Sequence, residues 1–541
     1  MILLGIDSLR NDRTPMGGYV YKTCPTLETL ACEGIYCSDA ITHSGPTQFA
    51  LPSVFTSTLP LDCGGYDEGI TNRPLSLPEV FKQYGFRTGG FVMDCWSSSL
   101  GGYDRGFDES INLFDIAGVW RNSALYFNYY KEIKNAGLIS NEEFLKLVAY
   151  YLRKCMRFTI SFCHDEQKES EAADGKYKDI YHYDFAALGT IMADELEQME
   201  RDPGGYIGKH FDNLSSVDYF IDKHKRHACK AAALWLIGRM THMKIDAARV
   251  RLILYKHFVS AEYLINRSIK WIEDNKRHPF FLWTFISDVH EFNCSTGKGK
   301  VYHQGLNGHL RSIGRPGRYL PWHRFTNGSV LNTGSLYDAS IKYVDNNITK
   351  LVRYLKENSL MRNTLLVIFA DHGFGLGSNL HPADLTTSLY EEYIRIPLLF
   401  FRPDIGPITV THQCGLMDIG PTVLDLMGMK PMIEFRGLPV YSQNAKGRDH
   451  LIIENVRQGP CDIGRKPINI AVRTKKWKYM FMERLLQQGR DAPMKRSLYD
   501  LELDPGEANN LAGDVRYSHI EARLHAIAKE RCNVIRNGKK D

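Results

Sequence analysis

Three short apolar runs constrain the fold of this chain most strongly. They are ILLGI at residues 2–6, PFFLWTFI at 279–286 and TLLVIFA at 364–370, and each ends at polar residues. Runs of this length and composition are typical of strands that are buried on both faces. Between them, as in residues 336–357, apolar side chains recur every three or four positions, which predicts helices. Alternating strands and helices predict an α/β fold with a mainly parallel sheet and helices on both of its faces.

An aspartate follows each of these strands closely, and the three are Asp7, Asp288 and Asp371. In sheets of this class, ligands bind at the carboxyl ends of the strands. We therefore expect the three carboxylates to converge on one edge of the sheet and to form a single site.

Two other regions have a different character. Residues of about 115–255 contain long helical patterns and a basic patch at 223–230, and we interpret them as a helical insertion. Such a patch is typical of a solvated helix face, and binding of a polyanionic or lipid-headgroup substrate is the alternative. Short alternating segments after about residue 430 predict a small sheet domain. The expected organisation is a catalytic domain over 1–430 and a C-terminal sheet subdomain over 431–541.

The composition narrows the class of protein. The 541 residues include 67 basic and 62 acidic side chains, and the excess of +5 fits an anionic substrate without predicting nucleic-acid binding. No apolar run approaches the ~20 residues that span a bilayer, and the N-terminal segment has the pattern of a strand rather than of an export signal. We therefore expect a cytoplasmic protein. Its 12 cysteines lack zinc-type spacing and are expected to be mostly small buried hydrophobic residues.

The segment FADHGFGLGSNLH, residues 369–381, combines three potential metal ligands or catalytic groups. Asp371 and His372 stand at a strand end, and His381 follows a glycine-rich turn. A carboxylate beside an imidazole suits a divalent metal, although such a pair is more often part of a hydrogen-bonded loop. Asp7 could supply a further oxygen ligand from the end of the first strand.

A hydroxyl at Thr47, in THSGPTQFALPSVFTSTLP, is placed to open a helix. A helix N-terminus favours an anion, and a metal on the threonine oxygen would make it a nucleophile toward phosphorus or sulfur. Without a metal, Thr47 would be only an N-cap.

Several segments, in this order, resemble the sulfatases and their relatives in the alkaline phosphatase superfamily. They are IDSLRNDRTPMGGY, CPTLETLACEGIYCSDAITHSG, LPEVFKQYGFRTGGFV, GYDRGFDES, FFLWTFISDVHEFN, YDASIKYVDNNITKLVRYLKENSLMRNTLLVIFADHGFGLG, LYEEYIRIPLLFFRPD, MDIGPTVLDLMGM and LYDLELDPGEANNLAG. Together they cover nearly the whole chain, and only 115–255 is unmatched. The resemblance implies an alkaline-phosphatase-like three-layer αβα domain, followed by a small C-terminal α+β sheet domain.

The resemblance also implies roles for individual residues. It implies a single divalent metal that is held by Asp7, Asp371 and His372 together with the nucleophile oxygen. It further implies that His290, in DVHEF, contacts the transferred group or protonates the leaving oxygen. His381 is a candidate for a similar role.

Two further residues are weaker candidates for the site. In related two-metal enzymes an aspartate and a second histidine hold another ion, but their spacing differs from that of Asp288 and His290 here. Arg10, which lies in the same GIDSLRNDR segment as Asp7, is the other.

The nucleophile position departs from the sulfatase pattern. Sulfatases generate formylglycine from the first residue of a C/S-x-P-x-R motif, and Ser44 opens a segment that matches it except for the arginine. Phe55, Thr56 and Pro60 match the family elements that follow the nucleophile only if the nucleophile is Thr47. Phosphoethanolamine transferases resemble this arrangement with a threonine. The lysine that sulfatases usually carry before the YEE segment is also missing.

The favoured hypothesis is in-line attack by metal-activated Thr47 on a phosphate or phosphonate ester, through a covalent intermediate that water or an alcohol resolves. One alternative is a formylglycine sulfatase that uses modified Ser44, and the other is a non-catalytic binding protein that kept the fold. The expected cofactor is one manganese or calcium ion, with magnesium or zinc as alternatives. The expected substrate is an anionic ester of a small molecule, glycan or lipid.

Overall fold

The computed structural model of the chain describes residues 1–113, 116–172, 185–214, 259–290, 333–376, 389–430, 435–441, 447–456, 459–483 and 496–538. Its strands, β1 to β15, are Ile2–Ile6, Ile35–Cys37, Ala40–Ile41, Arg87–Val92, Glu109–Asn112, Phe280–Ile286, Leu366–Ala370, Arg395–Ile396, Leu398–Phe401, Ile408–Val410, Cys414–Gly415, Leu451–Asn455, Asn469–Arg473, Trp477–Met482 and Arg496–Asp500. Its α-helices, α1 to α12, are Pro25–Glu33, Thr47–Thr56, Leu77–Gln83, Ile116–Asn135, Asn141–Ala172, Phe185–Arg201, Pro203–Leu214, Ala261–Asn275, Thr333–Glu357, Glu391–Ile394, Ile419–Leu426 and Ser518–Asn537.

Eight strands form the central sheet, in the order β10-β2-β9-β7-β1-β6-β4-β5. Strand β9 runs antiparallel to both of its neighbours, and the other five described pairs are parallel. The three strands expected from their apolar runs, β1, β6 and β7, lie side by side in the sheet and are buried along their whole length. The expected mainly parallel sheet is therefore confirmed.

Helices cover both faces of this sheet. Trp283 of β6 meets Phe55 of α2, with ring centroids 5.2 Å apart. Phe91 of β4 meets Trp271 of α8, with centroids 6.3 Å apart. Phe91 pairs in register with Thr284, the chain neighbour of Trp283, and adjacent residues of a strand point to opposite faces. Helices α2 and α8 thus lie on opposite sides, which gives the three αβα layers.

Four helices lie in the described part of the predicted helical insertion, and that this region is an insertion stays a prediction. Helices α4 to α7 pack on one another around a hydrophobic core of their own. The basic patch at 223–230 lies outside the described residues. The predicted C-terminal sheet is the antiparallel sheet β12-β13-β14-β15, against which α12 packs. The domain boundary near residue 430 stays a prediction.

Two expectations from composition concern cysteines and membranes. Ten cysteines lie among the described residues, all of them are free thiols, and eight are buried, as expected for small hydrophobic residues. Within the same residues, every helix is too short or too polar to cross a membrane. The cytoplasmic location stays a prediction.

Candidate metal and nucleophile site

Parallel pairing of β1 and β7 brings two of the predicted ligands together. Ile6 lies opposite Ala370, so Asp7 and Asp371, the next residues, leave the sheet side by side. One ligand atom from each of Asp7, Asp371 and His372 lies within 4.8 Å of the other two, and all three side chains are buried. The structure thus assembles the predicted set from two strand ends.

The hydrogen bonding of His372 fixes which of its ring nitrogens faces the carboxylates. Its Nδ1 lies 2.7 Å from the carbonyl oxygen of Gly373, and that oxygen can only accept, so Nδ1 carries the proton. The lone pair of Nε2 then lies 3.5 Å from Asp371 Oδ2 and 3.7 Å from Asp7 Oδ1. A neutral imidazole with this tautomer is the form that binds a metal.

Three atoms with lone pairs therefore face one another in a buried site: Asp7 Oδ1, Asp371 Oδ2 and His372 Nε2. Asp371 Oδ2 accepts no hydrogen bond from any residue that the structure describes, while its Oδ1 accepts from the backbone N–H groups of Ser8 at 3.0 Å and His372 at 2.8 Å. Buried acceptors that face one another without a proton or a cation between them are costly. Two carboxylates and one imidazole suit a divalent cation, so the residues fit the metal that the sequence predicts.

Burial and charge shift the titration of these groups. Burial raises the pKa of Asp7 well above its usual range, and the negative charges of Asp371 and Asp94 raise it further. The positive charge of protonated His290 and a hydrogen bond from Ser8 act in the opposite direction. Burial lowers the pKa of His372, so this ring is neutral at pH 7. Protons and a cation should compete for Asp7.

Thr47 is the first residue of α2, as predicted. Its Oγ1 lies 3.4 Å from His372 Nε2, which places the hydroxyl beside the carboxylate–imidazole cluster. The N-cap of the helix is Pro46, so the expectation that Thr47 would cap the helix if no metal is bound is wrong. Its hydroxyl faces the cluster rather than the backbone N–H groups of the first turn.

Ser44, the alternative nucleophile, lies in the short segment between β3 and α2. Its hydroxyl is buried and receives no hydrogen bond within the described part of the chain. Its backbone is held by Thr42, whose Oγ1 donates to the Ser44 carbonyl at 3.0 Å. Of these two candidate nucleophiles, Thr47 is the one whose hydroxyl contacts His372.

The two predicted residues after β6 have different surroundings. Asp288 is fully buried, and its Oδ2 accepts from the backbone N–H of Ala261 at 2.8 Å, at the start of α8. This contact turns the carboxylate toward the helix and explains why Asp288 does not join the cluster of Asp7. His290 is half-buried and packs edge-to-face on Phe374, with centroids 5.9 Å apart. When His290 is protonated, its positive charge lowers the pKa of Asp7.

Arg10 supports the loop after His372 rather than facing the cluster. Its Nη1 donates to the carbonyl of Phe374 at 3.0 Å and to Glu392 Oε2 at 2.9 Å, and its Nη2 donates to Asp12 at 2.7 Å. His381 lies outside the described residues.

Two residues at the site were not among the sequence candidates. Ser8 has a left-handed backbone with a φ of 63°, and its hydroxyl donates to Asp7 Oδ1 at 2.8 Å. Gly373 donates its N–H to the Tyr393 carbonyl at 2.7 Å, and a Cβ there would collide with the Glu392 carbonyl. A small polar residue directly after a strand-end aspartate and a glycine directly after His372 were the available signals.

Comparisons with known proteins identify the family of this chain. The family model described as Sulfatase matches residues 1–429. The Delta 4,5-hexuronate-2-O-sulfatase of Bacteroides thetaiotaomicron is 28% identical over 34% of this chain, and the choline-sulfatase of Rhizobium meliloti is 26% identical over 37%. This chain spans 38% and 37% of the length of those two relatives.

The fold is also similar to that of solved structures. The phosphonate monoester hydrolase of Agrobacterium radiobacter superimposes with a TM-score of 0.55 at 13% identity, over 99% of this chain and 95% of that one. At this identity the similarity concerns the fold alone. Because the Sulfatase model covers most of its length, this chain belongs to the sulfatase family.

Proposed function

We propose that this chain is a metal-dependent hydrolase or transferase of a phosphate, phosphonate or sulfate ester, with Thr47 as its nucleophile. One observation carries the proposal: the Thr47 hydroxyl lies 3.4 Å from His372 Nε2, beside the two buried carboxylates that could share a cation with it. A nucleophile, a metal site and a helix N-terminus are the parts that transfer of a tetrahedral anionic group requires.

The metal ligands would be Asp7, Asp371 and His372, together with the oxygen of Thr47. A bound divalent cation supplies Lewis-acid stabilisation of the negative charge that develops on the transferred group. Manganese or calcium is the expected ion, because the donor set is mostly oxygen with one imidazole.

Different residues of the chain then carry out different parts of the reaction. The first backbone N–H groups of a helix have no partners within it, and those of Thr47 and Gln48 at the start of α2 favour the anionic group. Thr47 Oγ1 loses its proton to solvent and forms a bond to phosphorus or sulfur, while the bond to the leaving oxygen breaks. His290 donates a proton to that oxygen. Water or an acceptor alcohol then cleaves the threonine ester.

Two observations bear on the transferred group. The relatives that are named as sulfatases favour a sulfate ester. A threonine beside the cluster, and Gln48 in place of the motif arginine, favour a phosphate or phosphonate ester. We place the phosphoryl reaction first and expect an anionic ester of a small molecule, glycan or lipid as the substrate.

The test compares Thr47→Ala with Thr56→Ala, which removes a hydroxyl from the other end of the same helix. Both proteins and the wild type are loaded with Mn²⁺ or Ca²⁺ and assayed on nitrophenyl phosphate, phenylphosphonate and sulfate esters. We expect Thr47→Ala to lose turnover by about a thousandfold or more, and Thr56→Ala to keep it. Turnover that survives in Thr47→Ala would leave Ser44, or another group, as the nucleophile. A metal-loaded wild type that turns over none of the esters would favour a binding protein.

A further inference from the structure

The residue after the proposed nucleophile is tied to the helical insertion. Gln48 is 8% exposed, and its Nε2 lies 2.9 Å from the hydroxyl oxygen of Tyr126. Tyr126 lies on α4, is itself buried, and belongs to the region that the family resemblance leaves unmatched. The insertion therefore contacts the catalytic helix one residue from Thr47.

The direction of the hydrogen bonds in this contact is fixed by Asp67. Tyr126 Oη lies 2.7 Å from Asp67 Oδ1, and Asp67 Oδ2 accepts from the backbone N–H of Cys461 at 2.7 Å. A carboxylate can only accept, so Tyr126 gives its one proton to Asp67. The Tyr126 oxygen is then left as an acceptor, and Gln48 must turn its amide nitrogen toward it. The donor and the acceptor of each hydrogen bond from Gln48 to Asp67 are therefore fixed.

Aromatic packing holds this hydrogen-bonded network in place. The Tyr126 ring stacks on Tyr151 of α5, with centroids 4.1 Å apart and planes 14° from parallel. Phe49, the residue after Gln48, stacks on Tyr66, with centroids 3.7 Å apart. Tyr66 precedes Asp67 directly, so one short segment contacts the first turn of α2 through Tyr66 and holds Tyr126 through Asp67.

We propose that Tyr126 is a positioning residue for Thr47 and acts through Gln48. By fixing the first turn of α2, it keeps Thr47 Oγ1 close to His372 Nε2, and Asp67 orients Tyr126 for this role. The inference rests on the proposed function, because it takes Thr47 as the nucleophile. This role would give α4, the first helix of the insertion, a part in the reaction. Asp67 also links α4 to the C-terminal region, because it bonds to both Tyr126 and Cys461.

The experiment compares Tyr126→Phe with a matched control on the same helix. Tyr129 Oη donates to Asp462 Oδ2 at 2.9 Å, so Tyr129→Phe also removes a hydroxyl–carboxylate bond from α4, but one that does not lead to α2. We expect Tyr126→Phe to lower kcat by about tenfold with KM nearly unchanged, because the nucleophile is displaced while substrate contacts remain. Tyr129→Phe should keep kcat within about twofold of the wild type.

Two further measurements separate positioning from general destabilisation. Gln48→Leu should lower kcat as much as Tyr126→Phe, and the double variant should be no slower than either one, since both break the same link. Hydrogen exchange provides a readout without turnover. The amides of Phe49 and Ala50, which bond to the Pro46 carbonyl, should exchange faster in Tyr126→Phe than in Tyr129→Phe.

Three results would overturn the inference: equal kcat losses in the two tyrosine variants, no loss in either, or additive losses in the double variant. Thr47→Ala, assayed beside them, distinguishes the two proposals. If Thr47→Ala is inactive and Tyr126→Phe behaves as wild type, only the positioning role is wrong. If Thr47→Ala keeps full activity, the proposed function fails and the positioning role fails with it.

Discussion

Thr47 Oγ1 lies 3.4 Å from His372 Nε2, although the two residues are 325 positions apart in the chain. Helix α2 begins at Thr47, and β7 ends two residues before His372. Because the Gly373 carbonyl holds the proton of Nδ1, the lone pair of Nε2 faces both the hydroxyl and the carboxylates. The Thr47 hydroxyl thus lies both at a helix N-terminus and beside a site that suits a cation.

The first prediction concerns Asp371 as a metal ligand. Asp371→Asn should weaken binding of Mn²⁺ and Ca²⁺ by at least about 100-fold, as measured by isothermal titration calorimetry, because it removes one of two carboxylates. Without metal, the variant should be about 1 kcal/mol more stable than the wild type, since a buried carboxylate without a cation is gone.

Asp345→Asn is the control for this prediction. Asp345 is also buried, and its carboxylate accepts from the N–H groups of Thr26 and Leu27, each at 3.0 Å, at the start of α1. This variant should lose stability and keep its cation affinity. Equal losses of affinity in both variants would show that cation binding follows overall stability and not the Asp371 carboxylate.

The second prediction is a pH dependence of cation binding. Burial raises the pKa of Asp7 in the metal-free protein, so a proton occupies this carboxyl at pH values where an exposed aspartate is ionised. Cation affinity should therefore rise with pH and level off only above the raised pKa. Titrations between about pH 5 and 8 measure this slope. An affinity that is constant over this whole range would contradict the prediction.

The third prediction concerns Gly373, which follows His372. In Gly373→Ala the new methyl group would collide with the Glu392 carbonyl, so the loop must move. We expect a loss of about 1–3 kcal/mol in the free energy of unfolding, together with weaker cation binding. Gly208→Ala is the control, because a Cβ at this position of α7 meets nothing within 4 Å. That variant should be more stable by up to about 1 kcal/mol in chemical denaturation.

The fourth prediction concerns a buried lysine that anchors the start of α10 through Glu391. Lys478 of β14 is fully buried and lies 3.2 Å from Glu391 and 2.5 Å from Glu507. Lys478→Met should cost about 3–5 kcal/mol in unfolding free energy, since Glu507 loses its buried cation and Glu391 keeps only Arg473.

Lys350→Met tests whether this cost depends on burial. Lys350 is 44% exposed and lies 3.4 Å from Glu262, so its loss should cost less than about 1 kcal/mol. If the two lysine variants were equally stable, Lys478 would not be the anchor that the structure indicates.

The sequence predicts those parts of the site that follow from strand ends. Asp7 and Asp371 can be paired from the amino-acid sequence alone, because buried parallel strands bring their carboxyl ends to one edge. His372 follows from its position beside Asp371. Asp288 shows where this reasoning stops: it stands at the same edge, but its carboxylate holds the first N–H of α8, a contact to Ala261 that no local pattern indicates.

Contacts between distant elements could not be predicted. Gln48 and Tyr126 are 78 positions apart, and the hydrophobic pattern of α4 predicts a helix without saying where that helix packs. The left-handed backbone of Ser8 is equally hidden, because serine adopts it only when the surrounding fold imposes it.

Mass spectrometry of the peptide that contains residues 41–60 tests the central claim most directly. The metal-loaded protein is incubated with the ester that it hydrolyses best, quenched in acid, digested and sequenced in the mass spectrometer. The account predicts a phosphoryl or sulfuryl group on Thr47 and an unmodified Ser44. Loss of two hydrogens at Ser44, or a transferred group on any residue other than Thr47, would contradict it.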